Sequence, residues 1–217
     1  MSCSVGLKNL TIKRDDKILH ENINLNISHK EKIGIIGTNG SGKTTLLETI
    51  AGLHYPIIGS LELFHNKIQN PKEYEKYRHL IGYLCQNSDE QFLSPNVQDD
   101  IAFSLLARGI DKKEATIKAN WIMDELNISH LKDKIVYNLS GGEKKLVALA
   151  GVLVYEPKIM LLDEPTNDLD QKMQKKLKNI LNNIDKSFII VSHDKNFIKQ
   201  VTHKIYKLDK KGLNPTN

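Results

Sequence analysis

The chain has 217 residues, of which 40% are hydrophobic and 26% charged, and these ordinary values argue against a disordered or fibrous protein. Its formal net charge is +5, but 28 of the 31 basic residues are lysine, so an arginine-rich nucleic-acid surface is not indicated and no nucleic-acid partner is expected. The longest apolar run, residues 146–155, is about half of what a bilayer requires, so we expect a chain that neither spans a membrane nor is secreted.

The first third of the chain predicts strands that lead into a glycine-rich loop. Residues 5–36 carry strand signals, with apolar and polar residues alternating over 23–27 and a buried-looking run, "IGII", at 33–36. Beyond the loop, leucine and isoleucine recur at helical spacing over 44–53. We therefore predict the order strand, glycine loop, helix in this part of the chain.

The loop matches a phosphate-binding pattern. Residues 37–44 satisfy G-x-x-x-x-G-K-[ST], in which glycines let backbone N–H groups wrap around phosphates while the lysine adds positive charge. The helix that follows would contribute its N-terminal N–H groups and its dipole. A chance match is expected in under about one per cent of chains of this length. The predicted nucleotide-binding residues are Thr38, Asn39, Gly40, Ser41, Gly42, Lys43, Thr44 and Thr45.

The rest of the chain alternates helices with short apolar strands. Residues 90–130 predict helices, with Ile117, Trp121 and Leu126 on roughly one face. The last third contains three strand-like runs, "KIMLL", "SFIIV" and "KIYKL", separated by helical segments. This alternation predicts an α/β fold with a sheet of parallel type.

Two carboxylates end the first of these strands. The segment "KIMLLDEPTND" places four apolar residues before Asp163 and Glu164, which is the Walker B pattern. Asp163 is predicted to reach Mg²⁺ through water, with the Thr44 hydroxyl as a direct ligand. Glu164 is predicted to orient or deprotonate the water that attacks the γ-phosphate. Together with the phosphate loop, this pair predicts hydrolysis of a nucleoside triphosphate.

The segment "NLSGGEKK", residues 138–145, opens an apolar helix with a serine and two glycines and narrows the class. With it, the chain resembles an ATP-binding-cassette (ABC) ATPase over nearly its whole length. In that family this helix N-terminus faces the γ-phosphate of an ATP held by a partner subunit, where N–H groups and dipole suit an anion. The resemblance assigns this signature role to Ser140, Gly141, Gly142 and Glu143.

The resemblance also implies the fold and its division. The fold class is α/β, a P-loop NTPase core of the ABC-ATPase type with an N-terminal antiparallel β-subdomain and an inserted helical subdomain. Residues 1–217 would form a single ABC ATPase domain. Within it, approximately 1–85 and 155–217 would form the nucleotide-binding core, and approximately 86–154 the Q-loop, the helical subdomain and the signature helix.

Three further positions match the family. Gln86 occupies the Q-loop position, where the family's glutamine touches the metal and reports ATP binding to the membrane partner. His193 matches the switch histidine, which contacts the γ-phosphate, and "NDLD", residues 167–170, matches the D-loop at the dimer interface. The resemblance thus implies the catalytic residues Glu164, His193 and Gln86, and the Mg²⁺ ligands Thr44, Gln86 and Asp163.

Arg14 stands where relatives often have an aromatic residue that stacks on adenine. A guanidinium can stack on a base face as well, so Arg14 is included among the ATP-binding residues. A solvated surface arginine is the alternative interpretation, and the sequence leaves both open.

Within the family, the chain is similar to the ATPases of energy-coupling-factor (ECF) importers, above all the cobalt/nickel type. The matches are Q-x-x-D-x-Q at 86–91, V-x-x-D-I-A-F at 97–103 and A-G-V-L at 150–153. Departures include Ser88, where proline is usual, and Leu146, where arginine is common. The cargo, whether nickel, cobalt or a vitamin such as biotin, stays open.

This likeness implies cofactors, partners and a location. The cofactors are ATP and Mg²⁺. The partners are a second ABC ATPase subunit, identical or different, a transmembrane coupling subunit and a substrate-binding membrane subunit, which places the chain at the cytoplasmic face of the cell membrane. Four acidic residues, Asp89, Glu90, Asp99 and Asp100, predict a docking surface for cationic loops of a membrane subunit. A solvated loop is the alternative.

A second class of function also fits part of the sequence. The segments "EPTNDLD" and "VSHDKNFI" resemble soluble ABC ATPases that act on ribosomes, which would make the chain a translation factor. Those proteins usually carry two cassettes in one chain, whereas this sequence has one phosphate loop and one signature motif. An importer subunit should co-purify with membranes and a translation factor with ribosomes.

Overall fold

The computed structural model describes residues 3–14, 17–55 and 58–216, apart from the side chain of Cys3. The chain forms two compact units. The first comprises the described residues of Met1–Tyr83, Lys158–Glu164 and Ile184–Asn217, and the second comprises Leu84–Pro157 and Pro165–Asn183. The second unit thus includes residues 165–183, which the division expected from the sequence placed with the nucleotide-binding core.

An antiparallel sheet begins the first unit. Its strands are β1 (Cys3–Arg14), β2 (Lys17–Ser28), β4 (Ile58–Leu63) and β5 (Asn66–Ile68), in the order β2-β1-β4-β5. The alternation in β2 buries Ile23, Leu25 and Ile27 on one face, while the residues between them are exposed. A period of two is what a half-buried strand requires, so the predicted antiparallel β-subdomain is present.

A six-stranded sheet is the second sheet of the first unit. Its strands are β3 (Lys32–Ile36), β6 (Ile81–Leu84), β7 (Ile159–Asp163), β8 (Ser187–Val191), β9 (Lys204–Asp209) and β10 (Gly212–Pro215), in the order β10-β9-β3-β8-β7-β6. Strands β9, β3, β8 and β7 are parallel neighbours, as predicted. All five residues of β7 and of β8 are buried, so these strands are almost continuously apolar.

The topology of this sheet determines where the predicted functional residues lie. The phosphate loop follows β3, the carboxylates Asp163 and Glu164 end β7, and His193 follows β8. Since parallel strands present their carboxyl ends at one edge, the three segments meet there. Two helices belong to this unit, α1 (Lys43–Ala51) and α6 (Lys195–Val201).

The second unit is helical. Its helices are α2 (Val97–Leu106), α3 (Lys112–Glu125), α4 (Gly141–Leu153) and α5 (Gln171–Asn183). The predicted face of Ile117, Trp121 and Leu126 is wrong, because Ile117 and Trp121 are 59% and 56% exposed while Leu126 is buried. The inward face of α3 consists of Ala115, Ala119, Ile122 and Met123. Small alanines allow close helix packing, so Ile117 and Trp121 do not mark the buried side despite their size.

No helix in the described part of the chain is long and apolar enough to cross a membrane.

Candidate nucleotide-binding and hydrolysis site

The phosphate loop joins the end of β3 to the start of α1. Gly40 and Gly42 have φ values of 74° and 86°, in the left-handed region that glycine adopts without steric cost. Gly37 is required for another reason: a Cβ atom there would lie 2.6 Å from the Leu208 carbonyl oxygen. The three glycines therefore fix the path of a loop whose next element is a helix N-terminus, as a phosphate cradle requires.

Lys43, the first residue of α1, is only 6% exposed. Its Nζ donates hydrogen bonds to the carbonyl oxygens of Gly37 (3.0 Å) and Thr38 (3.2 Å). It also lies 3.6 Å from Glu164 Oε1, in a buried ion pair. The ammonium group thus sits inside the loop, next to the carboxylate predicted to act as base.

Asp163 lies in the interior beside the start of α1. Its side chain accepts a hydrogen bond from the Thr44 hydroxyl, and burial raises the pKa of the carboxyl. Among the described residues Asp163 Oδ1 has no hydrogen-bond partner, although the group is 1% exposed. A carboxylate and a hydroxyl are hard oxygen ligands of the kind that Mg²⁺ prefers. An unsatisfied buried oxygen beside Thr44 therefore fits a metal held by these two residues.

Glu164 and His193 contact each other directly. Glu164 Oε2 accepts hydrogen bonds from the backbone N–H of His193 (3.2 Å) and from its ring Nδ1 (2.9 Å). Glu164 has a φ of 42°, uncommon for a residue with a side chain, and its N–H donates to the Val191 carbonyl oxygen (2.9 Å). This contact holds the end of β7 against the end of β8. The Glu164 carboxylate is buried, whereas the His193 ring is 61% exposed.

The first unit therefore brings together five predicted residues: Lys43, Thr44, Asp163, Glu164 and His193. The other loop residues lie where expected along the chain: Thr38, Asn39 and Gly40 are exposed, Ser41 and Gly42 are partly buried, and Thr45 is buried in α1. The Ser41 hydroxyl is buried and lacks a hydrogen-bond partner within the described ranges. Arg14 is exposed at the end of β1, and its contact with adenine stays a prediction.

The signature motif forms the N-terminus of α4 in the second unit. Ser140 is the N-cap, and its hydroxyl accepts from the Glu143 N–H (3.4 Å) while the Ser140 N–H donates to Glu143 Oε2 (2.9 Å). This reciprocal capping box satisfies two backbone donors that a helix start would otherwise leave unpaired. The hydrogen bond from the Ser140 backbone holds the pKa of Glu143 below its ordinary value. The structure thus gives Glu143 a capping role, and its contact with ATP stays a prediction.

The two signature glycines lie against the D-loop segment and α5. A Cβ atom on Gly141 would lie 3.3 Å from the Asp168 Cβ, and one on Gly142 would lie 3.0 Å from the Met173 side chain. Asp168 itself has a φ of 63°. Packing this close explains why both positions carry glycine and joins residues 167–170 to the signature motif within one unit.

Gln86 is an exposed residue of the second unit. Its backbone oxygen accepts a hydrogen bond from Lys145 Nζ (2.8 Å). Its predicted roles, as a metal ligand beside Thr44 and Asp163 and as a catalytic residue, stay predictions.

Sequence reasoning missed three residues that contact this machinery. The buried His20 places its ring Nε2 on the Ser41 carbonyl oxygen of the phosphate loop, and the Tyr83 hydroxyl lies 3.5 Å from Asp163 Oδ2. Lys145 is buried in α4. No spacing rule assigns these contacts to His20 or Lys145, so the sequence signal for them is weak.

Comparison with known proteins identifies the family. The ABC transporter family model matches residues 20–167. The chain is 38% identical over 211 residues to a Brucella suis protein that bears the name of an ABC transporter ATP-binding protein, covering 97% of this chain and 88% of that one. An uncharacterized ABC transporter ATP-binding protein of Haemophilus influenzae is 37% identical, covering 94% of each chain.

Solved structures that share the fold include two that are informative about this chain. One is cbiO1 of Clostridium perfringens, part of the ABC transporter complex cbiONQ, with a TM-score of 0.86 and 30% identity over 98% of this chain and 87% of that one. The other is the ATP-binding cassette MJ0796, in a dimeric post-hydrolysis state with ADP and Pi, with a TM-score of 0.85 and 28% identity over 96% of each chain. The chain therefore belongs to the ABC transporter family, as an ATP-binding subunit with an ATP-hydrolysing ABC ATPase fold.

Proposed function

We propose that this subunit energises an ECF-type importer whose cargo is cobalt or nickel ions or a vitamin such as biotin. The observation that carries the proposal is the likeness to cbiO1, whose complex is cbiONQ. The matches at 86–91 and 97–103 support it, since they are the stretches in which the sequence resembles the cobalt/nickel-type ATPases. The subunit would work at the cytoplasmic face of the membrane.

The first unit would hold the phosphates of ATP. The loop N–H groups and Lys43 bind the phosphate oxygens, and the buried Ser41 hydroxyl is available as a further donor. Thr44 and Asp163 would hold Mg²⁺, which when bound neutralises charge on the phosphates, and Gln86 would complete the ligand set. On nucleotide binding, Lys43 would exchange its carbonyl partners for phosphate oxygens. The hydrogen bonds to phosphate are charge-assisted and therefore stronger.

Glu164 is the proposed general base. Its carboxylate lies between Lys43 and His193, so its position is fixed from two sides. From there it would accept a proton from the water that attacks the γ-phosphate, while His193 holds the carboxylate and contacts the phosphate. Fixed geometry of this kind lowers the barrier by orienting the reacting groups in advance.

A second cassette would complete the site. The phosphate held by Lys43 lacks donors on its far side, and the start of α4 in a partner subunit, at Ser140–Gly142, offers N–H groups with a helix dipole. Two cassettes would then close head-to-tail around two ATP molecules. The partner is either a second copy of this chain or a different ABC ATPase.

The acidic residues near the Q-loop would dock a transmembrane coupling subunit, but not all in the same way. Asp100 accepts hydrogen bonds from the backbone N–H groups of Leu93 (2.7 Å) and Ser94 (2.9 Å), and burial raises its pKa. Asp100 therefore stabilises its own loop. Glu90 and Asp99 are exposed, and charge complementarity with cationic loops of a membrane subunit would act through them.

Purification from detergent-solubilised membranes tests the proposal. We expect the tagged chain to recover a transmembrane coupling subunit and a substrate-binding membrane subunit. The double variant Glu90→Lys and Asp99→Lys should lose these proteins while binding ATP normally, and Glu75→Lys, an exposed reversal in the first unit, should keep them. Recovery of ribosomes without membrane proteins would contradict the importer and favour the translation factor.

A further inference from the structure

Four hydrogen bonds, three of them to α4, hold the segment that carries Gln86 in place. Lys145 Nζ donates to the carbonyl oxygens of Gln86 (2.8 Å) and Cys85 (3.3 Å). Gln91 accepts from the Cys85 N–H with its Oε1 (3.1 Å) and donates from its Nε2 to the Ala148 carbonyl oxygen (2.8 Å). The N–H and the carbonyl group of Cys85 are thus both engaged by side chains, and the Gln86 carbonyl group is bound to a side chain of α4.

Lys145 is the member of this group that reaches Gln86 itself. It is 3% exposed, so its ammonium group has left bulk water and depends on the carbonyl dipoles it contacts. The neighbouring Lys144 forms an ion pair with Asp89 (2.8 Å), but the Asp89 side chain is 47% exposed and such a pair contributes little. Of the two lysine contacts, the buried one of Lys145 is therefore the stronger constraint on this segment.

Lys145 lies near the start of α4, the helix that the signature motif opens. Ser140 caps the helix five residues earlier, which is about one and a half helical turns. We propose that Lys145 is a positioning residue that fixes the main chain of Gln86 on the signature helix, so that Gln86 and the signature motif move as one element. The inference rests on the proposed role of Gln86 at the metal and adds the residue that positions it.

Two substitutions at Lys145 test this. Lys145→Met keeps the length and apolar stem of the side chain and removes the donor, whereas Lys145→Gln keeps one N–H donor. In the complete protein, Lys145→Met should speed amide hydrogen exchange at residues 85–91 in the absence of nucleotide. It should lower kcat about tenfold, with a higher Mg²⁺ concentration for half-maximal rate, as loss of a supporting hydrogen bond typically does. Binding of Mg²⁺-free ATP should not change.

The matched control is Lys118→Met, which removes a lysine whose side chain is 41% exposed and pairs with Glu114 on α3. It should behave as the parent in all three measurements, and Lys145→Gln should lie between the parent and Lys145→Met. Lys145→Met with unchanged exchange at 85–91 and an unchanged Mg²⁺ profile would overturn the proposal. If Lys145→Met does not fold, Lys145→Gln is measured instead. Unchanged exchange at 85–91 together with an unchanged Mg²⁺ profile in that variant would then overturn the proposal.

A double-mutant cycle with Gln86→Ala separates this inference from the role of Gln86. If Lys145 acts through Gln86, the effect of Lys145→Met on kcat should vanish when Gln86 is already alanine. Losses that multiply in the double variant would show that Lys145 acts elsewhere and would overturn the proposal. If Gln86→Ala itself leaves kcat and the Mg²⁺ profile unchanged, the role of Gln86 fails, and Lys145 as its positioning residue fails with it.

Discussion

The two predicted halves of the ATP site are built in opposite ways. In the first unit, Lys43, Glu164 and His193 come from three distant segments and meet only because β3, β7 and β8 are neighbours in one parallel sheet. In the second unit, Ser140 and Glu143 complete the signature helix start within a single turn. Charge is therefore concentrated and mutually neutralised in the first half, whereas the second half offers backbone donors that a local motif holds in place. The first half should be sensitive to loss of charge, and the second to loss of helix geometry.

Removing the phosphate-loop ammonium should give the largest change in nucleotide binding. Lys43→Ala deletes a charge-assisted contact worth roughly 1.5–3 kcal/mol, so ATP affinity should fall about tenfold to a hundredfold. Ser140→Ala in the second half should leave ATP affinity of the single cassette unchanged. Equilibrium titration with a fluorescent ATP analogue measures the ATP affinity of both variants. Equal losses in the two variants would remove the contrast between the halves.

Asp163→Asn should separate function from stability in the first half. Because burial raises the pKa of Asp163, the ionised carboxylate is disfavoured in the folded protein. Asparagine should therefore raise Tm at neutral pH while abolishing Mg²⁺-dependent hydrolysis. The gain in Tm should disappear below the ordinary Asp value of 3.8, where both proteins are neutral at this position. A variant that is less stable than the parent at neutral pH would contradict this reading of the buried carboxylate.

Substitution of Arg14 tests whether this exposed residue belongs to the nucleotide-binding half. If its guanidinium stacks on adenine, Arg14→Ala should weaken ATP binding by about 1 kcal/mol, and Arg14→Tyr should restore it. The same titration measures both. Variants that bind ATP like the parent would make Arg14 a surface residue.

The smallest effect is expected in the capping box of the second half. Since hydrogen bonds from Ser140 lower the pKa of Glu143, its ionised form stabilises the fold above the ordinary value of 4.5. This contribution is lost as the pH falls through the lowered pKa of the folded protein. The Tm difference between the parent and Glu143→Gln should therefore be largest at neutral pH and shrink in acid. A difference that does not vary between neutral pH and pH 3 would contradict the capping role.

Local signals in the sequence predicted local structure well. The G-x-x-x-x-G-K-[ST] pattern identified a loop between β3 and α1, and the serine at 140 identified a helix start, because both depend on neighbouring residues in the chain. The α/β class and the parallel sheet followed from the alternation of strands and helices. These features are fixed by backbone geometry and hydrophobic period, which a sequence displays directly.

Tertiary contacts were harder to foresee. The size of Ile117 and Trp121 predicts a core face, yet these two residues are exposed and the alanines of α3 are buried, because close packing selects for fit as well as hydrophobicity. Asp100 looked like a free surface charge but satisfies two backbone N–H groups. The contacts of His20 and Lys145 join residues far apart in the chain, and no spacing rule connects them.

The central claim is that the two halves, from two subunits, form one hydrolytic site with Glu164 as its base. Glu164→Gln keeps the shape of the side chain and removes its basicity, so hydrolysis should fall by about 10²–10⁴-fold while ATP still binds. Size-exclusion chromatography with MgATP, run on the protein reconstituted with its natural partner cassette where that differs, tests this directly. The account predicts a trapped dimer for Glu164→Gln that returns to monomer when Ser140→Arg is added. A Glu164→Gln protein that elutes as a monomer and hydrolyses ATP at the parent's rate would contradict it.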